Sequence, residues 1–170
     1  MIITETPRLI IREFTTEDSA FIIELLNTPS WLRYIGDRKV KNIDDAQAYL
    51  LKGPMKGYKE HGFGLNCVVL KDGNIPIGMC GLIKRDTLDD VDIGFAFLPK
   101  YEGKGYAMES TISVLEQAKK LELKRVVAIT LPDNERSIRL LKNVNMHFEK
   151  MIQFPDDKVE LMLFSIDLTK

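Results

Sequence analysis

The run Leu98-Pro99-Lys100-Tyr101-Glu102-Gly103-Lys104-Gly105-Tyr106-Ala107-Met108-Glu109 joins an apolar, strand-like segment to an amphipathic, helix-like one. This turn constrains the fold more than any other feature, because it commits a strand end and a helix start to one tight, glycine-lined corner. Two glycines and an alanine let the backbone pass close to a ligand, since no bulky side chain screens the amide N–H groups. The helix adds its unpaired first-turn N–H groups and the positive end of its dipole, which together seat a pyrophosphate well. Two familiar phosphate loops are excluded. A P-loop needs Gly-Lys-Ser/Thr, whereas Gly105 is followed by Tyr106, and a dinucleotide fingerprint puts a third small residue where Met108 stands.

Upstream, Arg8 to Phe14 reads as a strand, and Thr15-x-x-Asp18 as a capping signal for a helix through Phe21, Ile22, Leu25 and Leu26. A short helical piece follows at Trp31 to Tyr34, then a helix from about Asp44 to Leu51, which Gly53-Pro54 interrupts before a polar stretch reaching His61. Valine-rich Leu65 to Leu70 turns through Asp72-Gly73-Asn74 into Ile75 to Ile83, a hairpin. Val91 to Leu98 forms a third antiparallel strand that feeds the glycine turn. The helix beyond the turn carries Met108, Ile112, Leu115 and Ala118 on its apolar side. Arg125 to Thr130 reads as a strand, Asn134 to Val144 as a helix, and Met146 to Gln153 and Val159 to Leu168 as closing strands.

The chain has 170 residues, 45% hydrophobic and 29% charged, which fits one compact domain spanning 1–170. A net charge of −1 offers no global attraction to nucleic acid or to an anionic membrane. Cys67 and Cys80 lie in apolar runs without metal or redox spacing, so they read as reduced core thiols, and no metal site is expected. With no export signal and no apolar run of about 18 residues, a cytoplasmic location is expected.

Several segments in fixed order carry a more specific signal: Thr6-Pro7-Arg8-Leu9-Ile10-Ile11-Arg12, Ile75 to Gly81, Asp92 to Pro99 leading into Tyr101 to Glu109, and Asn134-Glu135-Arg136-Ser137-Ile138-Arg139-Leu140-Leu141-Lys142. Together they resemble the GNAT N-acetyltransferases, more narrowly the branch of the RimJ/RimL ribosomal-protein N-terminal acetyltransferases, over nearly the whole chain. The resemblance implies an α/β (α+β) fold: a mixed, mostly antiparallel central sheet of about seven strands flanked by helices. Two strands, 91–98 and 125–130, splay apart to admit acetyl-CoA. It also implies that Gly103, Lys104, Gly105, Tyr106 and Ala107 hold the pyrophosphate, while backbone groups of Phe97 and Leu98 bond the pantetheine arm. Relatives often carry Gln or Arg where Glu102 stands, so this carboxylate is expected to face solvent. Asn145-Met146 replaces a common Gly-Phe, and Asn tolerates the left-handed helix cap that the position needs.

Acetyl transfer needs a neutral amine, donors for the developing oxyanion and a proton for the departing thiolate. A lysine amine of pKa about 10.4 needs more help from a base than a peptide N-terminus of about 7.7 to 8.0. Alternation puts Asp92, Gly94, Ala96 and Leu98 on one strand face, so Asp92 is a candidate base, with a solvated carboxylate at the strand start as the other reading. His61 is a second candidate base, and His147 reads as an exposed strand residue. The tyrosine that relatives use as thiol acid corresponds to Leu141. By resemblance, Asn134 and Ser137 therefore sit near the thiol, with the Ser137 hydroxyl as donor and Asn134 also able simply to cap its helix. Trp31, Tyr34 and Phe63 are candidates for the acceptor pocket or for the core, and Lys39-x-Lys41 reads as solvated surface.

The expected activity is acetyl transfer to a primary amine by direct attack, the acceptor being a protein or peptide N-terminus, a polyamine or an antibiotic. A non-catalytic acyl-CoA sensor and a regulator binding another nucleotide diphosphate are the competing readings, and either a monomer or a homodimer is compatible with the chain.

Overall fold

The computed structural model describes residues 1–169. Eight strands form one sheet: β1 (Ile2–Glu5), β2 (Leu9–Glu13), β3 (Leu65–Leu70), β4 (Ile75–Ile83), β5 (Asp92–Phe97), β6 (Arg125–Thr130), β7 (His147–Ile152) and β8 (Leu161–Asp167). Their order is β1-β2-β3-β4-β5-β6-β8-β7, and every neighbouring pair is antiparallel except β5 and β6. Among the described residues six α-helices accompany them: α1 (Ser19–Leu26), α2 (Pro29–Tyr34), α3 (Ile43–Lys52), α4 (Pro54–His61), α5 (Tyr106–Lys120) and α6 (Glu135–Asn143). The mixed, mostly antiparallel sheet flanked by helices is the architecture that the sequence implies. It exceeds the expected strand count by β1, and the polar stretch after Gly53 is helix α4, with Pro54 in its first turn.

Each face of the sheet has its own core. On the α5 side, Leu9, Ile11, Val68, Ile77, Ile93, Phe97, Val126 and Phe164 pack with Val114, Leu115 and Leu141. On the other side, Cys67, Val69, Met79 and Leu98 pack with Phe14, Phe21, Leu25, Trp31, Ala46 and Leu50 from the α1–α3 layer. The α5 helix turns Ser110, Thr111, Val114, Leu115 and Ala118 inward and leaves Ile112 exposed, contrary to the expected apolar stripe. Polar Ser110 and Thr111 are tolerated inside because the Ser110 hydroxyl donates to Ala107 O (3.0 Å) and Thr111 Oγ1 meets Cys80 Sγ (3.9 Å).

Local chemistry explains the connections. Thr15 N–H donates to Asp18 Oδ2 (2.9 Å) at the start of the first helical layer, and Asp18 also receives both terminal nitrogens of Arg12. The hairpin after β3 turns through Gly73 (φ 85°) and Asn74 (φ 52°). Asn145 adopts φ 69° and ends the α6 region, with Met146 N–H returning to Leu141 O (3.0 Å), so the expected left-handed cap is present. In β4, an added Cβ at Gly81 would collide with the carbonyl oxygen of Gly64, so only glycine lets the start of β3 pass so close.

Candidate active site

The glycine corner is a nest of donors. Gly103 (φ 74°) and Gly105 (φ 84°) are left-handed, and no backbone N–H from Gly103 through Met108 has a partner among the described residues. Space beside Gly103 is open, since an added Cβ there would meet nothing within 4 Å. The corner is held from behind by Arg8, whose guanidinium donates to Lys104 O (3.0 Å), pairs with Glu109 (2.8 Å) and lies over the Tyr106 ring (4.4 Å). Glu109 in turn accepts from Thr6 Oγ1 (2.5 Å). Burial pushes the Glu109 carboxyl up, but its bonds to Thr6 and Arg8 outweigh that and hold it below its ordinary value. With the Lys104 carbonyl tied back, the loop presents amides rather than oxygens.

Beside this nest the sheet opens. β5 and β6 are in register at one position only, Asp92 with Val127, and Val127 N–H donates to Val91 O (3.0 Å). Beyond it the two strands diverge toward the glycine corner. Val91 O faces β6 and Leu98 N–H faces β4, where it donates to Ile77 O (2.9 Å). By alternation, the backbone groups of Ile93, Phe95 and Phe97 point toward β6, and beyond the one paired position they lack a strand partner. Leu98 is thereby corrected as a backbone ligand: its N–H is occupied by Ile77 and its carbonyl by Tyr101 N–H (2.9 Å), leaving Phe95 and Phe97 as the open pair. A strand edge of this kind accommodates the two amides of a pantetheine arm, and the nest accommodates a diphosphate, so the residues present fit coenzyme A.

Glu102 does not face solvent as expected. Its Oε2 accepts from Arg136 Nη1 of α6, so the carboxylate near the nest is neutralised by a cation rather than by exposure. At the same end, Asn134 Oδ1 accepts from Ser137 N–H (3.3 Å) and caps α6, while the Ser137 hydroxyl is half-buried with no hydrogen bond among the described residues. Leu141 is fully buried in the α5-side core, where the sequence leaves no tyrosine to act.

Asp92 is 1% exposed and accepts from Arg85 Nε (2.9 Å). Burial pushes its carboxyl up, and the Arg85 charge and hydrogen bond offset this only in part, so the group titrates above the ordinary aspartate range. The solvated reading of Asp92 is therefore corrected. Gly94 and Ala96 follow it on the face toward α1 and α3, as alternation requires. His61 lies exposed at the end of α4, stacked on Phe63 (5.7 Å between centroids), and His147 is exposed on β7. Trp31 is buried in the α1–α3 core with its indole N–H unpartnered, whereas Tyr34 is half-exposed under the Arg33 guanidinium (4.8 Å). Both cysteines are buried and their thiols are pushed up to about 12, which makes them poor nucleophiles.

Arg8 and Arg85 were not singled out by sequence reasoning as site residues. Arg85 lies two residues past Ile83, which pairs with Asp92, and it reaches the carboxylate only once β4 and β5 are in register.

Comparison with known proteins agrees with this geometry. The acetyltransferase (GNAT) domain family matches residues 8–147. The chain is 33% identical over 145 residues to the uncharacterized N-acetyltransferase YnaD of Bacillus subtilis (strain 168), covering 85% of this chain and 82% of that protein. Among solved structures, a GNAT-family acetyltransferase from Bacillus anthracis superposes with a TM-score of 0.80 at 26% identity, over 100% of both chains. The microcin C7 self-immunity acetyltransferase MccE, solved with acetyl-CoA and AMP, shares the fold with a TM-score of 0.81 at 14% identity, over 95% of this chain and 93% of that one.

Proposed function

The chain belongs to the GNAT acetyltransferase family, and from that membership we propose that it moves an acetyl group from acetyl-CoA to a primary amine by direct attack. The observation that carries this reading is the parting of β5 from β6 after one paired position, directly beside an unpartnered run of amides. Acetyl-CoA supplies the activated thioester, and the chain supplies placement and proton handling. Gly103 to Ala107 hold the diphosphate through their N–H groups, with Arg8 fixing the loop from behind. Phe95 and Phe97 present backbone partners to the arm, and an N–H of this edge is the donor toward the acetyl oxygen. Asp92, raised by burial but pinned by Arg85, accepts the proton that the attacking amine loses. Ser137, with a free hydroxyl at the capped end of α6, gives a proton to the departing thiolate. Neither buried thiol has an activating partner, which supports attack without a covalent enzyme intermediate.

The RimJ/RimL-like motifs support an α-amine of a protein or peptide N-terminus as acceptor, and the lower pKa of such an amine suits a site with a single carboxylate base. The deciding experiment follows thiol release from acetyl-CoA with mixed amines, identifying the acetylated product by mass. Release that depends on the amine supports transfer. Tight CoA binding with no release under any amine would instead make the protein an acyl-CoA sensor, and tighter binding of ATP or NAD than of CoA would overturn the coenzyme assignment.

A further inference from the structure

The glycine corner and the start of α6 stand on opposite walls of the parted strands. The corner follows β5 and α6 follows β6, and these two strands run parallel and separate after Asp92 and Val127, so both features lie at the same open end. A side-chain contact joins them there. Arg136 Nη1, in the first turn of α6, donates to Glu102 Oε2, one residue before the left-handed Gly103 at which the unpartnered run of N–H groups begins. Glu102 is the more enclosed partner, its side chain 26% exposed against 66% for Arg136, so the pair fixes the guanidinium to the corner rather than the carboxylate to α6.

Arg136 has donors to spare. Its guanidinium is a planar fork of N–H groups, and among the described residues Nε and Nη2 have no partner. The neighbouring cations are placed differently. Arg8 is engaged behind the loop with the Lys104 carbonyl and with Glu109, and Lys100 lies over the Tyr101 ring (5.7 Å). A diphosphate seated in the nest meets partial charges from the amides, but it also meets the Glu102 carboxylate, whose like charge repels it. A guanidinium fork can bond a carboxylate along one edge and a phosphate along another, which a single ammonium cannot do in the same geometry.

Resting on the coenzyme reading above, we infer that Arg136 is a further phosphate-binding residue: Glu102 holds its guanidinium at the corner, and its free N–H groups bond the diphosphate of CoA from the α6 wall, opposite the amides of Gly103 to Ala107. Glu102 is then a positioning residue, and its charge is tolerated beside the diphosphate because Arg136 stands between them. The coenzyme ties the two walls together, since the loop after β5 and the helix after β6 grip the same group.

Calorimetry tests this with CoA and dephospho-CoA on the wild type, Arg136→Ala, the double variant Arg136→Ala with Glu102→Gln, and Arg139→Ala, an exposed arginine three residues on in α6 that serves as a surface-charge control. Arg136→Ala should weaken CoA by about 20-fold, the range of a lost hydrogen bond to a charged group, and dephospho-CoA by the same factor, because the contact is to the diphosphate. In steady state the KM for acetyl-CoA should rise with kcat nearly kept. Removing the Glu102 charge as well should recover part of the loss at most, leaving the double variant at least roughly fivefold weaker than the wild type. Full recovery would mean that Arg136 only neutralises Glu102, and would overturn the inference. An unchanged affinity in Arg136→Ala, an equal loss in Arg139→Ala, or a loss with CoA that is absent with dephospho-CoA would overturn it too. Circular dichroism checks that each variant is folded. A wild type that binds no CoA removes the coenzyme assignment itself, whereas wild-type binding that Arg136→Ala leaves intact removes this inference alone.

Discussion

The two sides of the cleft are made of different material. The proposed coenzyme side is main chain: left-handed glycines, a helix start without partners and a strand edge released from its neighbour. The proposed acceptor side is side chain: a buried Asp92 carboxylate held by the Arg85 guanidinium. A main-chain site depends on where side chains are absent and is blunt to most substitutions but intolerant at its glycines. A side-chain site is set by charge and burial, and responds to conservative changes that leave the backbone alone.

The sharpest way to break this contrast is at Gly105. Valine there must adopt φ 84°, and its Cβ would come within 3.3 Å of Arg8 Nη2. Strain and obstruction together should weaken CoA binding by roughly 100-fold, read by calorimetry, in a protein whose circular dichroism is unchanged. Next comes Asp92→Asn, which keeps shape and removes the base, so kcat should fall by about 100-fold with CoA affinity intact. The sign of the pH effect follows from the raised pKa: the active form is the carboxylate, so kcat/KM climbs with pH through a limb above the usual aspartate value of about 3.9. Arg85→Gln removes what offsets burial and should move that limb further up, whereas Asp92→Asn abolishes it and leaves the acceptor amine's own limb.

Smaller effects separate support from contact. Arg8→Ala frees the Lys104 carbonyl and should raise the CoA dissociation constant by about tenfold with kcat nearly kept. Lysine should not rescue it, because a single ammonium cannot bond Lys104 and Glu109 and also stack on Tyr106. Ser137→Ala should cost roughly threefold in kcat, since a thiol of pKa about 8.5 departs tolerably as thiolate. A loss beyond about 100-fold would give Ser137 a larger part than proton donor.

The same contrast explains what could be read from the chain before the fold was known. The glycine corner, the hairpin through Gly73 and the cap at Asn145 announce themselves because each needs a conformation that few residues adopt. Strand β1 is illegible in the sequence because Ile2–Glu5 is short, carries no clear alternation and is a strand by virtue of its pairing with β2. Apolar periodicity alone puts Ile112 inside α5, whereas buried hydroxyls at Ser110 and Thr111 set the inward face, and hydroxyls read as polar in a sequence without their partners. The direction of the Leu98 N–H is not legible in the sequence, because it depends on the pairing with β4. Glu102 found Arg136, and Asp92 found Arg85, through contacts that exist only once helix and hairpin are folded against the sheet.

The most direct test of the account is a crystal structure of the protein with coenzyme A. The predicted result has the diphosphate within hydrogen-bonding distance of N–H groups between Gly103 and Met108, and the arm bonded to the backbone of Phe95 and Phe97 between parted β5 and β6. Coenzyme bound elsewhere, with those amides turned to water or β5 and β6 zipped together past Asp92, would contradict it.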